Sequence, residues 1–268
     1  MITLLVDAGN SAIKWSLLDG GKLSKMKNYQ YKKSPSIEVY YSVLEEQLKT
    51  SKVGEVVMVS VLGADYIEAT KKYTQQTNLQ FINVESRAKL SGVTNAYAEP
   101  HKLGADRLVA MVGAYHLDLS QAAIVIDSGT ATTIDAIDSK GQHLGGLILP
   151  GLDLCSQSLL ERTEQLALFN EGYEAYEENI FSTDTRQAIE NGSLYGLVGA
   201  ISNICKKMEE EIKLRSLQND RGKTIVRKLV CGGSAKKLLL HLPSEFIYCE
   251  DLVIQGLKII SEEGRMMK

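Results

Sequence analysis

Two stretches of the chain combine a carboxylate, a glycine and short hydroxyl or amide side chains in a way that suits phosphate. One is Asp7-Ala8-Gly9-Asn10-Ser11-Ala12-Ile13-Lys14; the other is Asp127-Ser128-Gly129-Thr130-Ala131-Thr132-Thr133. Glycine among small residues at a tight turn lets backbone N–H groups come close to phosphate oxygens. In the first stretch Asn10 and Ser11 add side-chain donors and Lys14 adds positive charge. Asp7 there suits a hydrated Mg²⁺, a cation that prefers hard oxygen ligands. In the second, the threonines offer hydroxyl donors to a terminal phosphate, and Asp127 offers a carboxylate to a cation. Either stretch alone also suits a plain hairpin whose Asp and Asn fit the bend, and Thr132 and Thr133 also suit a strand. Two facing phosphate turns are what an ATP site built by duplication needs.

A third constellation is Leu103-Gly104-Ala105-Asp106-Arg107, preceded by Asn95, Tyr97 and Pro100. Leu108, Val109, Met111, Val112 and Tyr115 form an apolar face at helical spacing, so Asp106 and Arg107 fall in a first helical turn. The helix dipole favours Asp there, and simple capping accounts for it; it does not favour Arg, which implies another partner for Arg107. Cys231-Gly232-Gly233-Ser234 permits close backbone approach to a flat ring, and an ordinary helix start explains it as well. The histidines (His101, His116, His143, His241) show no metal-binding spacing and read as surface or core filler.

The elements that must position these residues alternate between strand and helix, which argues for a layered α/β fold. Strands are predicted at 2–6, 12–18, 56–62 and 79–84, and helices at 37–49, 64–73 and 103–117. The pattern then restarts. Residues 123–131 repeat the grammar of 4–12, an apolar strand running into Asp-x-Gly, and a second strand follows each copy. The two Asp-x-Gly sites lie 120 positions apart, too far for a solenoid repeat, so two copies of one unit are expected, 1–118 and 119–268. Residues 145–151 read as a glycine-rich loop and 186–214 as one long helix or a broken pair, with Leu194, Leu197, Ile201, Ile204 and Met208 as its apolar stripe. That stripe packs on its own domain's sheet or, with Gly196, Gly199 and Ala200, admits a partner.

At 268 residues the chain is long enough for about two domains. A net charge of −3, from 30 basic and 33 acidic residues, gives no ground for a nucleic-acid or acidic-membrane surface. No apolar run reaches the roughly 18 residues of a membrane span, and Asp7 interrupts the first apolar run, unlike a signal peptide. The four cysteines lack CxxC spacing and read as reduced, mostly buried thiols of a cytoplasmic protein.

Taken in order, these motifs resemble the type III pantothenate kinases of the acetate and sugar kinase/Hsp70/actin superfamily. Asp7-x-Gly9-Asn10-Ser11-x-x-Lys14 is similar to the family's first phosphate motif and Asp127-x-Gly129-Thr130-Ala131 to its second. Asn95-x-Tyr97-x-x-Pro100-x-x-Leu103-Gly104-x-Asp106-Arg107 is similar to its substrate segment. Gly145-Gly146, Pro150-Gly151 and Thr185-x-x-Ala188-Ile189-x-x-Gly192 match later elements; Cys231 departs, since the family more often carries Thr there.

The resemblance implies an α/β fold of two duplicated ribonuclease-H-like (actin-like ATPase) domains with an interdomain ATP cleft. It implies ATP-dependent phosphorylation of pantothenate, the first step of coenzyme A synthesis. By the same resemblance Asp106 is the base, and Tyr97, Gly104, Ala105, Arg107 and Thr185 bind substrate. Residues 7–14 and Thr130 hold ATP with Mg²⁺, and Asp127 holds a monovalent cation, K⁺ or NH₄⁺. The expected assembly is a homodimer whose second subunit walls the pocket, with no nucleic acid or membrane as partner. Two rivals stay open: a superfamily kinase or phosphatase acting on a sugar, acetate or polyphosphate, and a non-catalytic accessory factor for gene expression. The first would not explain Gly104-x-Asp106-Arg107 with Tyr97 upstream, and the second has no use for Asp106.

Overall fold

The computed structural model describes residues 1–31, 35–50, 52–162, 180–218 and 224–266. The chain forms two compact units: Met1–Ser120 with Ile137–Gly145 and Asp251–Lys268, and Gln121–Ala136 with Gly146–Glu250. This differs from a division into 1–118 and 119–268 in two places, because 137–145 and the C-terminal segment fold with the first unit.

The first unit starts with β1 (Ile2–Ala8), β2 (Ala12–Asp19), β3 (Lys22–Leu23) and β4 (Lys27–Gln30). There follow α1 (Ile37–Thr50), β5 (Val53–Ser60), α2 (Ala64–Gln76), β6 (Gln80–Asn83), the small pair β7 (Lys89–Leu90) and β8 (Val93–Thr94), and α3 (Ala105–Leu117). In the second unit lie β9 (Ala122–Ser128), β10 (Ala131–Ile137), β11 (His143–Pro150), α4 (Leu152–Arg162), α5 (Thr185–Gln218), β12 (Val226–Cys231), α6 (Ala235–Leu239) and β13 (Phe246–Tyr248), with the ends of β10 and β11 reaching into the first; α7 (Leu252–Met266) returns to the first. One sheet runs β3-β2-β1-β5-β6, with β4 also on β2, and the other β11-β10-β9-β12-β13. With β4 set aside, both place their strands in the order third, second, first, fourth, fifth. The repeat read from the Asp-x-Gly motifs is thus a repeat of topology.

Leu4, Leu5 and Val6 of β1 are all buried, as an uninterrupted apolar run requires of a strand covered on both faces. On one face Leu4, Val6, Val56 and Met58 meet Tyr40 and Leu44 of α1. Elsewhere in this unit α3 packs on α7, and α7 on β1. Glu55 of β5, 1% exposed, accepts hydrogen bonds from Thr3 Oγ1 (2.8 Å), Ser261 Oγ (3.3 Å) and Arg265 Nη2 (3.3 Å), tying α7 to the sheet. A buried carboxylate is tolerated only with such partners.

One reading is corrected here, and one pair of alternatives is decided. Residues 145–151 are not a loop: Gly145 to Pro150 belong to β11, at the sheet edge. The stretch 186–214 lies within one 34-residue helix, α5. Its Leu194, Leu197 and Ile201 are buried within the second unit, whereas Ile204 and Met208 are only partly covered. Among the described residues no helix is long and apolar enough to cross a membrane.

Candidate active site

The first Asp-x-Gly stretch, residues 7–14, forms the β1–β2 hairpin. Its antiparallel register sets Asp7 opposite Lys14 and Ala8 opposite Ile13, and the bond from Gly9 N–H to Ala12 C=O (3.0 Å) closes the turn. Asn10 and Ser11 are exposed at the tip. Lys14 Nζ lies 3.9 Å from Asp7 Oδ2 and 3.5 Å from Asp251 Oδ2. Asp251 also caps α7, its Oδ1 accepting the Ile254 N–H at 2.9 Å. Tyr31 pins the same turn twice: its N–H donates to Ser11 C=O (2.9 Å) and its hydroxyl to Gly9 C=O. Burial, followed by the nearby Asp7 charge, pushes the Tyr31 phenol up, so it remains a donor. Sequence reasoning missed both Tyr31 and Asp251, because no local pattern marks them.

In the second unit three glycine motifs converge on the turn after β9. Gly129 N–H closes the turn on Ala131 C=O at 3.0 Å, leaving Thr130 exposed. Gly151 N–H donates to Thr130 C=O (3.0 Å), and a Cβ at Gly151 would overlap the Gly129 carbonyl oxygen. Gly232 has φ +94°, and a Cβ there would overlap Asp127 Oδ1 and lie 2.5 Å from Ser128 C=O. The first glycine after Cys231 thus serves more than a helix start: Gly232 makes room for the Asp127 carboxylate. Asp127 Oδ1 and the Ser128 carbonyl oxygen thus both face Gly232, and hard oxygens of this kind are the donors that suit a monovalent cation.

The segment from Asn95 to Arg107 is ordered by its own polar groups. Asn95, 8% exposed, accepts the Tyr97 N–H at 2.9 Å and donates to Pro100 C=O at 3.0 Å. Gly104 is the N-cap of α3, and a Cβ on it would lie 2.6 Å from Asp106 Oδ1. Glycine at 104 therefore admits the Asp106 carboxylate, which is held by the Arg107 N–H at 2.8 Å and stays half-exposed beside Ala105. Arg107 is buried in the first turn against the dipole, and Tyr97 is one of its partners: Nη1 donates to the Tyr97 hydroxyl at 3.2 Å. Thr185 is exposed at the start of α5, where Asp184 caps the helix through the Gln187 N–H (2.9 Å). His143, read as filler, is buried and stacked on Tyr97.

The sequence profile of the type III pantothenate kinases matches residues 3–207. This chain belongs to that family. A type III pantothenate kinase of Nitrosococcus oceani is 33% identical over 97% of this chain and 94% of its own length. One from Alcanivorax borkumensis is 31% identical over 96% and 98%. The fold is also that of a structure described as a putative Baf family transcriptional activator from Campylobacter jejuni (TM-score 0.54, 20% identity, 98% and 99% covered). MreB5 of Spiroplasma citri bound to ADP is similar as well (TM-score 0.52, 11% identity, 99% and 98% covered). At such identities these two bear on the fold alone, the duplicated actin-like ATPase architecture. This kinase transfers a phosphoryl group from ATP to pantothenate, in coenzyme A biosynthesis.

Proposed function

We propose that Asp106 is the general base of this reaction and that Tyr97, Gly104, Ala105, Arg107 and Thr185 receive pantothenate. The observation that carries this is the ordered cluster at the start of α3, where Gly104 leaves room for the Asp106 carboxylate and Arg107 meets Tyr97. The attacking hydroxyl oxygen forms a bond to the γ-phosphorus while the bond from that phosphorus to the β–γ bridging oxygen breaks. ADP leaves with the electron pair, and the hydroxyl proton passes to Asp106. Arg107 orients the substrate, since its planar donors match a carboxylate. Asp7, Ala8, Gly9, Asn10, Ser11, Ala12, Ile13, Lys14 and Thr130 hold the ATP phosphates. Mg²⁺ at the phosphates, with Asp7 as an outer carboxylate, supplies charge neutralisation when bound.

We assign K⁺ or NH₄⁺ to Asp127, beside Gly232. In a coupled assay, ADP release should require pantothenate, with sugars and acetate inert. Replacing K⁺ by Na⁺ should slow it at least about tenfold, roughly 1.4 kcal/mol of barrier, and Asp127→Ala should blunt the difference while weakening ATP binding. Equal rates in sodium and potassium would remove the cation assignment without touching the kinase reading.

The homodimer belongs here too, on a surface other than the apolar stripe of α5. Leu147 and Ile148 of β11 and Leu154 and Leu159 of α4 are 44–64% exposed in the second unit. Obligate interfaces bury about 2,000 Å² or more and are strongly apolar, so exposed apolar side chains on these two neighbouring elements are the surface we assign to a second copy. Ile148→Asp should shift light scattering from dimer toward the 29.5 kDa monomer and lower phosphorylation before secondary structure is lost. A wild-type particle fully active as a monomer would refute the dimer. Four free thiols and the use of ATP support placing the reaction in the cytoplasm.

A further inference from the structure

His143 is 1% exposed, at the start of β11. An imidazole costs more to bury than an aliphatic side chain of similar size unless its nitrogens are engaged. Here Nδ1 accepts the Ala96 N–H at 3.4 Å, which sets the ring proton on Nε2. The ring stacks on Tyr97, with centroids 6.1 Å apart and planes 16° from parallel. The turn that delivers it is docked rigidly on the substrate segment: Thr94 N–H donates to Gly141 C=O at 2.9 Å, and Gln142 Nε2 to Thr94 C=O at 3.4 Å. Gly141 has φ +77°, and a Cβ there would overlap the Gly92 carbonyl oxygen, so the β7–β8 turn and this turn are in close backbone contact.

Tyr97 is thereby held at three points. Asn95 fixes its backbone, Arg107 its hydroxyl, and His143 the plane of its ring. The backbone contact alone leaves χ1 of Tyr97 open, and a swing about χ1 would carry the hydroxyl away from Arg107; the stacked imidazole of His143 opposes that swing. We propose that His143 is a positioning residue for the acceptor substrate, setting the Tyr97 ring and through it the Arg107 guanidinium that receives a carboxylate-bearing alcohol. The inference rests on the assignment of Tyr97 and Arg107 to pantothenate. His143 touches no reacting atom.

Steady-state kinetics on the intact kinase test it. His143→Asn keeps an acceptor near the Nδ1 position and removes the ring; His143→Phe keeps the ring and removes the acceptor. An aromatic stack contributes enough that its loss should raise KM for pantothenate about three- to tenfold, with KM for ATP within about twofold. His143→Phe should stay near the wild-type value. In the double variant with Tyr97→Leu, the loss should be no greater than for Tyr97→Leu alone, because the two act as one unit. Equal rises in both KM values, or additive losses, would overturn the proposal, as would a His143→Phe defect as large as that of His143→Asn. If His143→Asn does not fold, His143→Leu replaces it, with the same outcomes deciding. A silent Tyr97→Leu would instead sink the assignment of Tyr97 to the substrate. A silent His143→Asn beside a defective Tyr97→Leu would sink the role of His143 alone.

Discussion

Replacing Asp106 by Asn should lower kcat for pantothenate phosphorylation by about 10²–10⁴-fold, the range that a positioned general base contributes. The substitution is close to isosteric, and Asn Oδ1 can still accept the Arg107 N–H that Asp106 Oδ1 accepts at 2.8 Å. The first turn of α3 should therefore persist, and with it the Arg107–Tyr97 contact. What disappears is a carboxylate able to take the hydroxyl proton as the new bond to phosphorus forms. Single-turnover phosphorylation separates this from slow product release, and nucleotide binding by calorimetry should stay near the wild-type value. Turnover within a factor of a few of wild type would reduce Asp106 to a helix residue favoured by the dipole.

Gly256→Val should cost the first unit stability on the order of 3 kcal/mol or more, at the upper end of overpacking penalties. A Cβ at Gly256 would overlap the carbonyl oxygen of Val109 in α3 and lie 2.8 Å from Val109 Cγ1. The contact is mutual, since a Cβ at Gly113 would overlap Leu252 C=O and lie 3.1 Å from Gly256 N. The obstacles are backbone atoms, so no rotamer change relieves the clash and the two helices must separate. Chemical denaturation should show the loss as a lower midpoint, and Gly113→Val should behave alike. Full stability in both variants would mean that α3 and α7 do not pack this closely.

Both outcomes bear on how much of the protein can be read without its tertiary structure. The two Asp-x-Gly turns, the helix start at Gly104 and the restart of the pattern at the second Asp-x-Gly are legible because their physics is local. A glycine at a tight turn, an Asp at a strand end, and an Asp-Arg pair in a first helical turn have meaning within about ten residues. Even the anomaly of Arg107 against the dipole was visible, and one of its partners, Tyr97, was among the named residues.

The residues that hold those motifs in shape were not legible, for an equally physical reason. Tyr31 reaches Gly9 and Asp251 reaches Lys14 only because β4 pairs with β2 and α7 returns to the first sheet. Gly151 and Gly232 look like ordinary loop glycines until β11 and β12 bring them against the turn after β9. His143 reads as filler until a docked turn sets it on Tyr97. Glycine in a helix reads only as a weak helix former, so Gly113 and Gly256, 143 positions apart, reveal their close approach only in the packed pair. The α5 stripe shows the same limit: its period marks an apolar face, and only the packing decided that Leu194, Leu197 and Ile201 are buried while Ile204 and Met208 stay partly covered. By itself, then, the sequence determined the chemistry and the family of this kinase, since turn geometry and charge placement are written in contiguous residues. Tertiary structure decided what orients that chemistry and where the C-terminal helix belongs, because burial and long-range contact arise only when distant segments exclude water together.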